Sequence, residues 1–188
     1  MRISAQNILK NIVTILFVAM FFSCTNNTSE VQQFLVTKNL PIGIAKDAYL
    51  QYRDSGHVTS KLITPWLNDF GNRKEHPYNE FPKGLKIISF ENNGKDSITI
   101  LGDFGLSYTK TLISELRGNV VIINHTDQSK LETDQLYWDQ NTDYFFSEKK
   151  FKLTTPDNQF SGIGFESKKD LSKFIAKKMT GDIESIKE

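Results

Sequence analysis

Between Leu112 and Phe165 the chain repeats one pattern: a short run of β-branched and aromatic residues, then a polar turn, every ten to fourteen positions. The runs are Leu112–Asn124, Leu131–Asp139, Tyr144–Leu153 and Phe160–Phe165, parted by His125-Thr-Asp-Gln, Gln140-Asn-Thr-Asp and Thr155-Pro-Asp-Asn. Strands at this spacing are the mark of an antiparallel all-β sandwich or roll. A parallel sheet would need crossover helices between them, and no long helical period interrupts the runs.

The residues before this stretch extend the pattern. His57–Leu67 alternates Val58, Ser60 and Leu62 against His57, Thr59 and Lys61, the period of a half-buried strand. Leu85–Phe90 and Ser97–Leu101 flank Asn93-Gly94, two residues that accept positive φ and so predict a hairpin. Asp54-Ser-Gly56 marks another turn, and Asp69–Pro82 reads as a loop. Pro41 and Gly43 make Val31–Ile44 an irregular lead-in or edge segment. Past Lys168, the i, i+3, i+4 spacing of Leu171, Phe174 and Ile175 fits a helix, while a final strand fits equally well. The expectation is a single all-β antiparallel domain over residues 47–182 with a tail at 183–188.

The amino terminus is a separate object. Arg2 and Lys10 accompany an apolar run of 11 residues, Ile12–Phe22, broken only by Thr14. Such a run is short for a span that needs about 20 residues, and suits the apolar core of an export signal. Ser23-Cys24 follows it, and Cys24 is the sole cysteine, so no internal disulfide can form. This boundary resembles the acylation site of a bacterial lipoprotein, with residues 1–23 as signal peptide and 24–46 as acylated cysteine and linker. An uncleaved anchor helix is the other reading.

Formal net charge is +1, so no basic field exists to hold nucleic acid. His57, His76 and His125 lie far apart with no second ligand at metal spacing. Gly162-Ile-Gly164 lacks the third glycine of a dinucleotide loop and fits close packing or a bulge. No cofactor is expected. Asp134, Asp139 and Asp143 flank one hairpin and are the one acidic set from which an enzyme reading can be built. The apolar pairs Ile98 and Ile100, Val120 and Ile122, Leu136 and Trp138, Phe151 and Leu153 each share a face. Periodicity alone leaves two readings of them, a sealed core or a groove open along one side.

A set of phrases in fixed order narrows this. Tyr52-Arg-Asp-Ser-Gly56, Phe81-Pro-Lys-Gly-Leu, Gly118-Asn-Val-Val-Ile, Leu131-Glu-Thr-Asp-Gln-Leu-Tyr-Trp and Phe160-Ser-Gly-Ile-Gly-Phe, after an export signal, resemble the LptC family. These are membrane-tethered periplasmic components of the lipopolysaccharide export machine. The resemblance implies a β-jellyroll, two facing sheets with an open, boat-shaped apolar interior. It implies a non-enzymatic carrier that receives lipopolysaccharide from an inner-membrane ABC transporter and passes it to an LptA-like bridge protein by edge-strand pairing. The positions it marks as lining are Leu62, Phe81, Leu85, Ile87, Ile98, Ile100, Val120, Ile122, Leu136, Trp138, Phe145, Phe151, Leu153 and Phe160. Gly56 and Gly162 match its turn glycines. Where some members keep a transmembrane anchor, Cys24 takes that place here. A charged residue at Ile122 or Phe151 is expected to block lipid contact while the fold survives. A closed-core scaffold lipoprotein and a carbohydrate- or lipid-active enzyme are the competing functions.

Overall fold

Nearly every strand of this chain breaks at the same level, and that break decides the architecture. The computed structural model describes residues 28–91, 94–180 and 184–185. The chain divides into two compact units, residues 1–38 and 39–188. In the first, α1 (Thr28–Thr37) is a helix, not the irregular segment expected there. Val31, Phe34 and Leu35 recur at i, i+3, i+4 with Glu30 in the first turn, and proline first appears at Pro41, past its end. No helix among the described residues is long and apolar enough to cross a membrane. The export signal and Cys24 lie outside the described residues.

The second unit is an antiparallel meander: β1 (Gly43–Asp54), β2 (His57–Phe70), β3 (Tyr78–Phe81), β4 (Leu85–Glu91), β5 (Asp96–Gly102), β6 (Phe104–Tyr108), β7 (Ile113–Asn124), β8 (Lys130–Asp139), β9 (Tyr144–Thr154), β10 (Asn158–Lys168), β11 (Phe174–Met179) and the two-residue β12 (Glu184–Ser185). All belong to one 12-stranded sheet. The Leu85–Glu91 and Asp96–Gly102 strands pair as the hairpin expected from Asn93-Gly94. The ambiguous carboxy-terminal segment is a strand, because Phe174, Ala176 and Met179 pair with Ser167, Phe165 and Gly162 of β10. Ladder hydrogen bonds win there over a helical spacing only one turn long.

β3 and β4 lie end to end along β2. Phe70 faces Tyr78 in one half, Ser60 faces Ser89 in the other, and the register slips by one residue between them. β5 and β6 repeat the arrangement across from β4 and β3, with Asp103 as the step. Further slips fall between Arg117 and Val120 on β7, Thr133 and Tyr137 on β8, and Ile163 and Phe165 on β10. These bulges form a crease across the sheet. Buried hydroxyls and backbone groups satisfy what the ladders leave there. Thr64 Oγ1 donates to the Gly84 carbonyl at 2.8 Å and Thr133 Oγ1 to the Lys150 carbonyl at 2.8 Å. Ser147 Oγ accepts from Lys149 N at 3.1 Å, and Asp103 N donates to the Gly118 carbonyl at 3.0 Å. Gly84, Gly118 and Gly164 hold positive φ on this line.

Folded along its crease, the sheet becomes two facing sheets joined by bent strands, a jellyroll-like arrangement. Turns from opposite strand ends therefore meet. Lys169, between β10 and β11, pairs with Glu91 at the far end of β4, and Asn124 at the end of β7 donates to the Asp170 carbonyl. The inner faces pack as one apolar cluster that runs through Leu62, Ile100, Ile122, Leu136, Phe145 and Phe165. Each such side chain, taken fully out of water, contributes about 1.5–3 kcal/mol.

Candidate functional site

The space between the two sheets is unevenly filled. Toward one end aromatic rings fill it. Phe151, Phe165 and Phe174 stack edge and face at centroid separations of 5.1–5.6 Å, over Ile98, Ile122 and Leu131. The β10–β11 turn closes the rim above them. Lys169 Nζ reaches Glu91 at 3.1 Å and Asp143 at 3.3 Å, and Asn124 Nδ2 donates to the Asp170 carbonyl at 2.8 Å. Leu171 drops into the interior from that turn at φ +62, a backbone region that burial of its side chain offsets.

At the other end a cavity of about 250 Å³ remains. Leu62 of β2, Phe81 of β3, Leu85 and Ile87 of β4, Leu116 of β7 and Trp138 of β8 form its apolar walls. Tyr52, Asn79, Thr109, Leu112 and Gln140 also line it. Leu62 and Trp138 share this wall although β4, β5 and β7 lie between their strands in the sheet, which is possible only because the sheet is doubled over. The volume lies just under the roughly 300–1,000 Å³ of small-molecule pockets.

Along the β6–β8 wall of the cavity runs a polar row. Ser107, Ser114 and Trp138 are successive partners across the β6–β7 and β7–β8 ladders. Gln140 Nε2 donates to Ser114 Oγ at 2.7 Å, and Ser114 Oγ donates to Ser107 Oγ at 3.1 Å. On the opposite face of the same wall, Glu115 is buried and accepts from Arg117 Nε and Nη2 at 2.7 and 2.6 Å and from Gln135 Nε2 at 2.5 Å. Burial alone would raise its pKa. The hydrogen bonds from Arg117 and Gln135 outweigh that and hold the carboxyl below the usual range. Tyr137, stacked on Phe146 at 5.2 Å, accepts from the same Gln135 and has its phenol pushed up by burial and then by Glu115.

All fourteen positions marked as lining face the interior. Leu62, Phe81, Leu85, Ile87 and Trp138 border the open cavity. Ile98, Ile100, Val120, Ile122, Leu136, Phe145, Phe151 and Leu153 pack against one another, and Phe160 sits half-buried beside them. Ile122 is 0 % exposed and Phe151 3 %, so the expectation that either accepts a charge and still folds is corrected: an unpaired charge there has neither water nor partner. Gly56 occupies the β1–β2 turn at φ +86, following Ser55 at +49. Gly162 lies where a Cβ would meet the Lys178 carbonyl and the Phe151 ring.

Sequence periodicity missed Leu116, Leu131, Phe165 and Leu171, all in the core, and the polar row. The signal for two of them lay in the register slips. Parity counted from Phe160 and Gly162 puts Phe165 outside, but the slip at Gly164 brings it in. The slip after Thr133 does the same for Leu131.

The three carboxylates of the acidic set have separate local surroundings. Asp139 caps its turn by accepting from Asn141 N and Thr142 Oγ1, both at 2.9 Å, and these bonds, Thr142 first, hold its carboxyl low. Asp143 pairs with Lys169, and Asp134 is exposed. His125 Nε2 sits 2.8 Å from Thr99 Oγ1. Among the described residues no three His, Cys, Asp or Glu side chains converge as a metal cluster would require.

Comparison with known proteins completes the picture. The profile of the family described as "Lipopolysaccharide-assembly, LptC-related" matches residues 12–175. The chain belongs to the LptC family. No curated protein matches it. Membership brings a role in lipopolysaccharide transport and association with its export machinery.

Proposed function

We propose that this domain carries lipopolysaccharide by its acyl chains, taking it from the inner-membrane ABC transporter and handing it to an LptA-like periplasmic bridge protein. The observation that carries this reading is the apolar cavity between the sheets, walled by Leu62, Phe81, Leu85, Ile87 and Trp138. Each methylene kept from water is worth about 0.8 kcal/mol, so a slot of this kind shelters a fatty tail while the sugars stay hydrated. No bond is altered in such a transfer. Tethering through an acylated Cys24 keeps the domain at the inner membrane. Edge strands provide the route onward: among the described residues β1 pairs only with β2, and β11 only with β10. Each leaves one row of backbone donors and acceptors free for a neighbouring jellyroll to extend.

The remaining positions marked as lining, from Ile98 to Phe160, serve this reading as the wall that widens when more chain enters. The test is photocrosslinking. A benzophenone side chain at Leu62 or Ile87 is expected to capture lipopolysaccharide in cells, and one at Glu132, on the outer face of β8, to capture none. Equal capture at all three positions, or none at Leu62 and Ile87 in folded protein, overturns the reading. The filled far end favours one alternative, a scaffold lipoprotein with a closed core, and that alternative predicts no capture anywhere.

A further inference from the structure

The wall that bounds the cavity carries a second concavity on its outer face. β6 separates the two, and its Leu106 and Tyr108 border both. The outer one is an open groove of about 650 Å³, within the roughly 300–1,000 Å³ of small-molecule sites. The ladders set its rows: Tyr78 of β3, Tyr108 of β6 and Ile113 of β7 are successive partners, and Glu80 and Leu106 form the next pair. His76, Phe104 and Thr111 complete the lining. Tyr78 stacks on Phe70 at 4.7 Å and tilts toward Tyr108 at 5.8 Å. Such packing uses the rings and leaves their hydroxyls over. Among the described residues neither phenol has a hydrogen-bond partner. Glu80 is held in place from behind. Trp66 Nε1 donates to Asn68 Oδ1 at 2.8 Å and Asn68 Nδ2 to Glu80 Oε2 at 2.9 Å, so one carboxylate oxygen is anchored and the other is left for a donor.

We infer that this groove binds a neutral pyranose saccharide, and that the saccharide belongs to the same molecule whose acyl chain enters the cavity. The inference rests on the lipid-carrying reading for its ligand and adds to it a place for the sugars. Aromatic rings and a preset carboxylate suit a sugar on both its surfaces. The C–H hydrogens along one side of a pyranose meet the negative face of an aromatic ring, and its hydroxyls donate to a carboxylate oxygen. Neutrality follows from Glu80. No lysine or arginine lines the groove, so a phosphate or an acidic sugar would meet like charge. An extended peptide is a poor occupant, because β3, β6 and β7 each pair on both sides and offer no backbone edge. The β6–β7 turn joins the two concavities: Thr109 and Leu112 line the cavity and Thr111 the groove. A lipid with its tail inside thus reaches the groove by passing over that one turn.

Three probes are titrated into the full chain held in an amphipathic polymer: tetradecanoic acid, a lipopolysaccharide, and the acyl-free oligosaccharide that mild acid releases from it. The wild type is expected to bind all three, with magnetisation passing from the protein to neutral pyranose protons of the oligosaccharide. Tyr78→Phe keeps the stack on Phe70 and is expected to weaken the oligosaccharide about three- to ten-fold, the loss of one neutral hydrogen bond. Glu80→Ala removes a charged acceptor and is expected to weaken it about ten-fold or more. Lipopolysaccharide weakens in the same order. Tetradecanoic acid binds wild type and variants equally, since neither residue lines the cavity, and that equality also reports that the variants are folded. An oligosaccharide that fails to bind the wild type, or binds both variants as tightly, overturns this inference and spares the lipid-carrying reading. Weakened oligosaccharide with unchanged lipopolysaccharide assigns the groove to a separate glycan and overturns the shared molecule. Binding of the oligosaccharide alone, with acid and lipopolysaccharide both refused, overturns the lipid-carrying reading instead.

Discussion

The two ends of the space between the sheets are built from different sets of strands, β2, β3, β4 and β6 at one and β9, β10 and β11 at the other, and they are filled differently. Toward the β10–β11 turn, aromatic rings meet face and edge, and Leu171, Lys169 and Asp170 fasten the rim. Toward β6 and β7, small polar side chains stand between the rings of Phe81 and Trp138. Ser107 and Ser114 face inward there, where Phe151 and Phe165 fill the other end, and about 250 Å³ stays open. The difference is one of which side chains meet between the sheets and of one turn. An apolar inner face is common to both ends. Whether it becomes a core or a pocket depends on a few residues at the rim.

This contrast can be broken most severely at its filled end. Phe165→Ala empties a fully buried site and is expected to lower unfolding free energy by about 3–5 kcal/mol, whereas Tyr52→Ala at the open end should change it by less than about 0.5 kcal/mol. Urea unfolding of the two variants gives the ratio; comparable losses would mean that both ends are core. Next comes the fastening itself. Leu171→Ala is expected to cost about 2–4 kcal/mol and to speed amide exchange through residues 168–173 ahead of the rest of the sheet. Lys169→Ala, which breaks pairs to partly exposed carboxylates, should cost about 1 kcal/mol or less. If this fastening limits how far the space opens, both variants also take up more tetradecanoic acid than the wild type does.

The smallest effect lies behind the open wall. Glu115 has its pKa lowered, by the bonds from Arg117 and Gln135 against the opposing effect of burial. A depressed carboxyl contributes stability that is fully present above its unfolded value, about 4.3, and is lost as pH falls through the lower folded value. Glu115→Gln should therefore be less stable by about 1–2 kcal/mol at pH 7, with the gap to the wild type closing below pH ~4. A gap that is constant with pH would show that packing, not charge, holds this wall.

Much of the fold was legible because strand period and turn chemistry are local. The pairs Ile98 and Ile100, Val120 and Ile122, Phe151 and Leu153 all point where alternation placed them. Alternation failed at the crease, where one extra residue reverses inside and outside, so Leu131 and Phe165 went unseen. It failed again at Leu171, whose i, i+3, i+4 spacing with Phe174 and Ile175 matches that of Val31, Phe34 and Leu35. One set became a turn and a strand beside β10, the other α1, because a partner strand was at hand only for the first. Periodicity left the cavity undecided between a sealed core and an open groove, and only the resemblance pointed to an open interior. The inward face of a strand is written in its own residues, but the distance between two inward faces is set by how sharply the sheet bends and by which turn lands on its rim.

The row of bulges through Thr64, Gly84, Gly118, Thr133 and Gly164 has a mechanical side. Its geometry is held by hydroxyl-to-carbonyl bonds and by glycine backbone angles, none of which depends on what lies between the sheets. It thus acts as the spine of a book whose pages can part without the binding coming undone. A small change of angle at the spine would become a large displacement at the outer margin, so on the proposed reading cargo of differing girth would be admitted with little change in the hydrogen bonds that define the molecule.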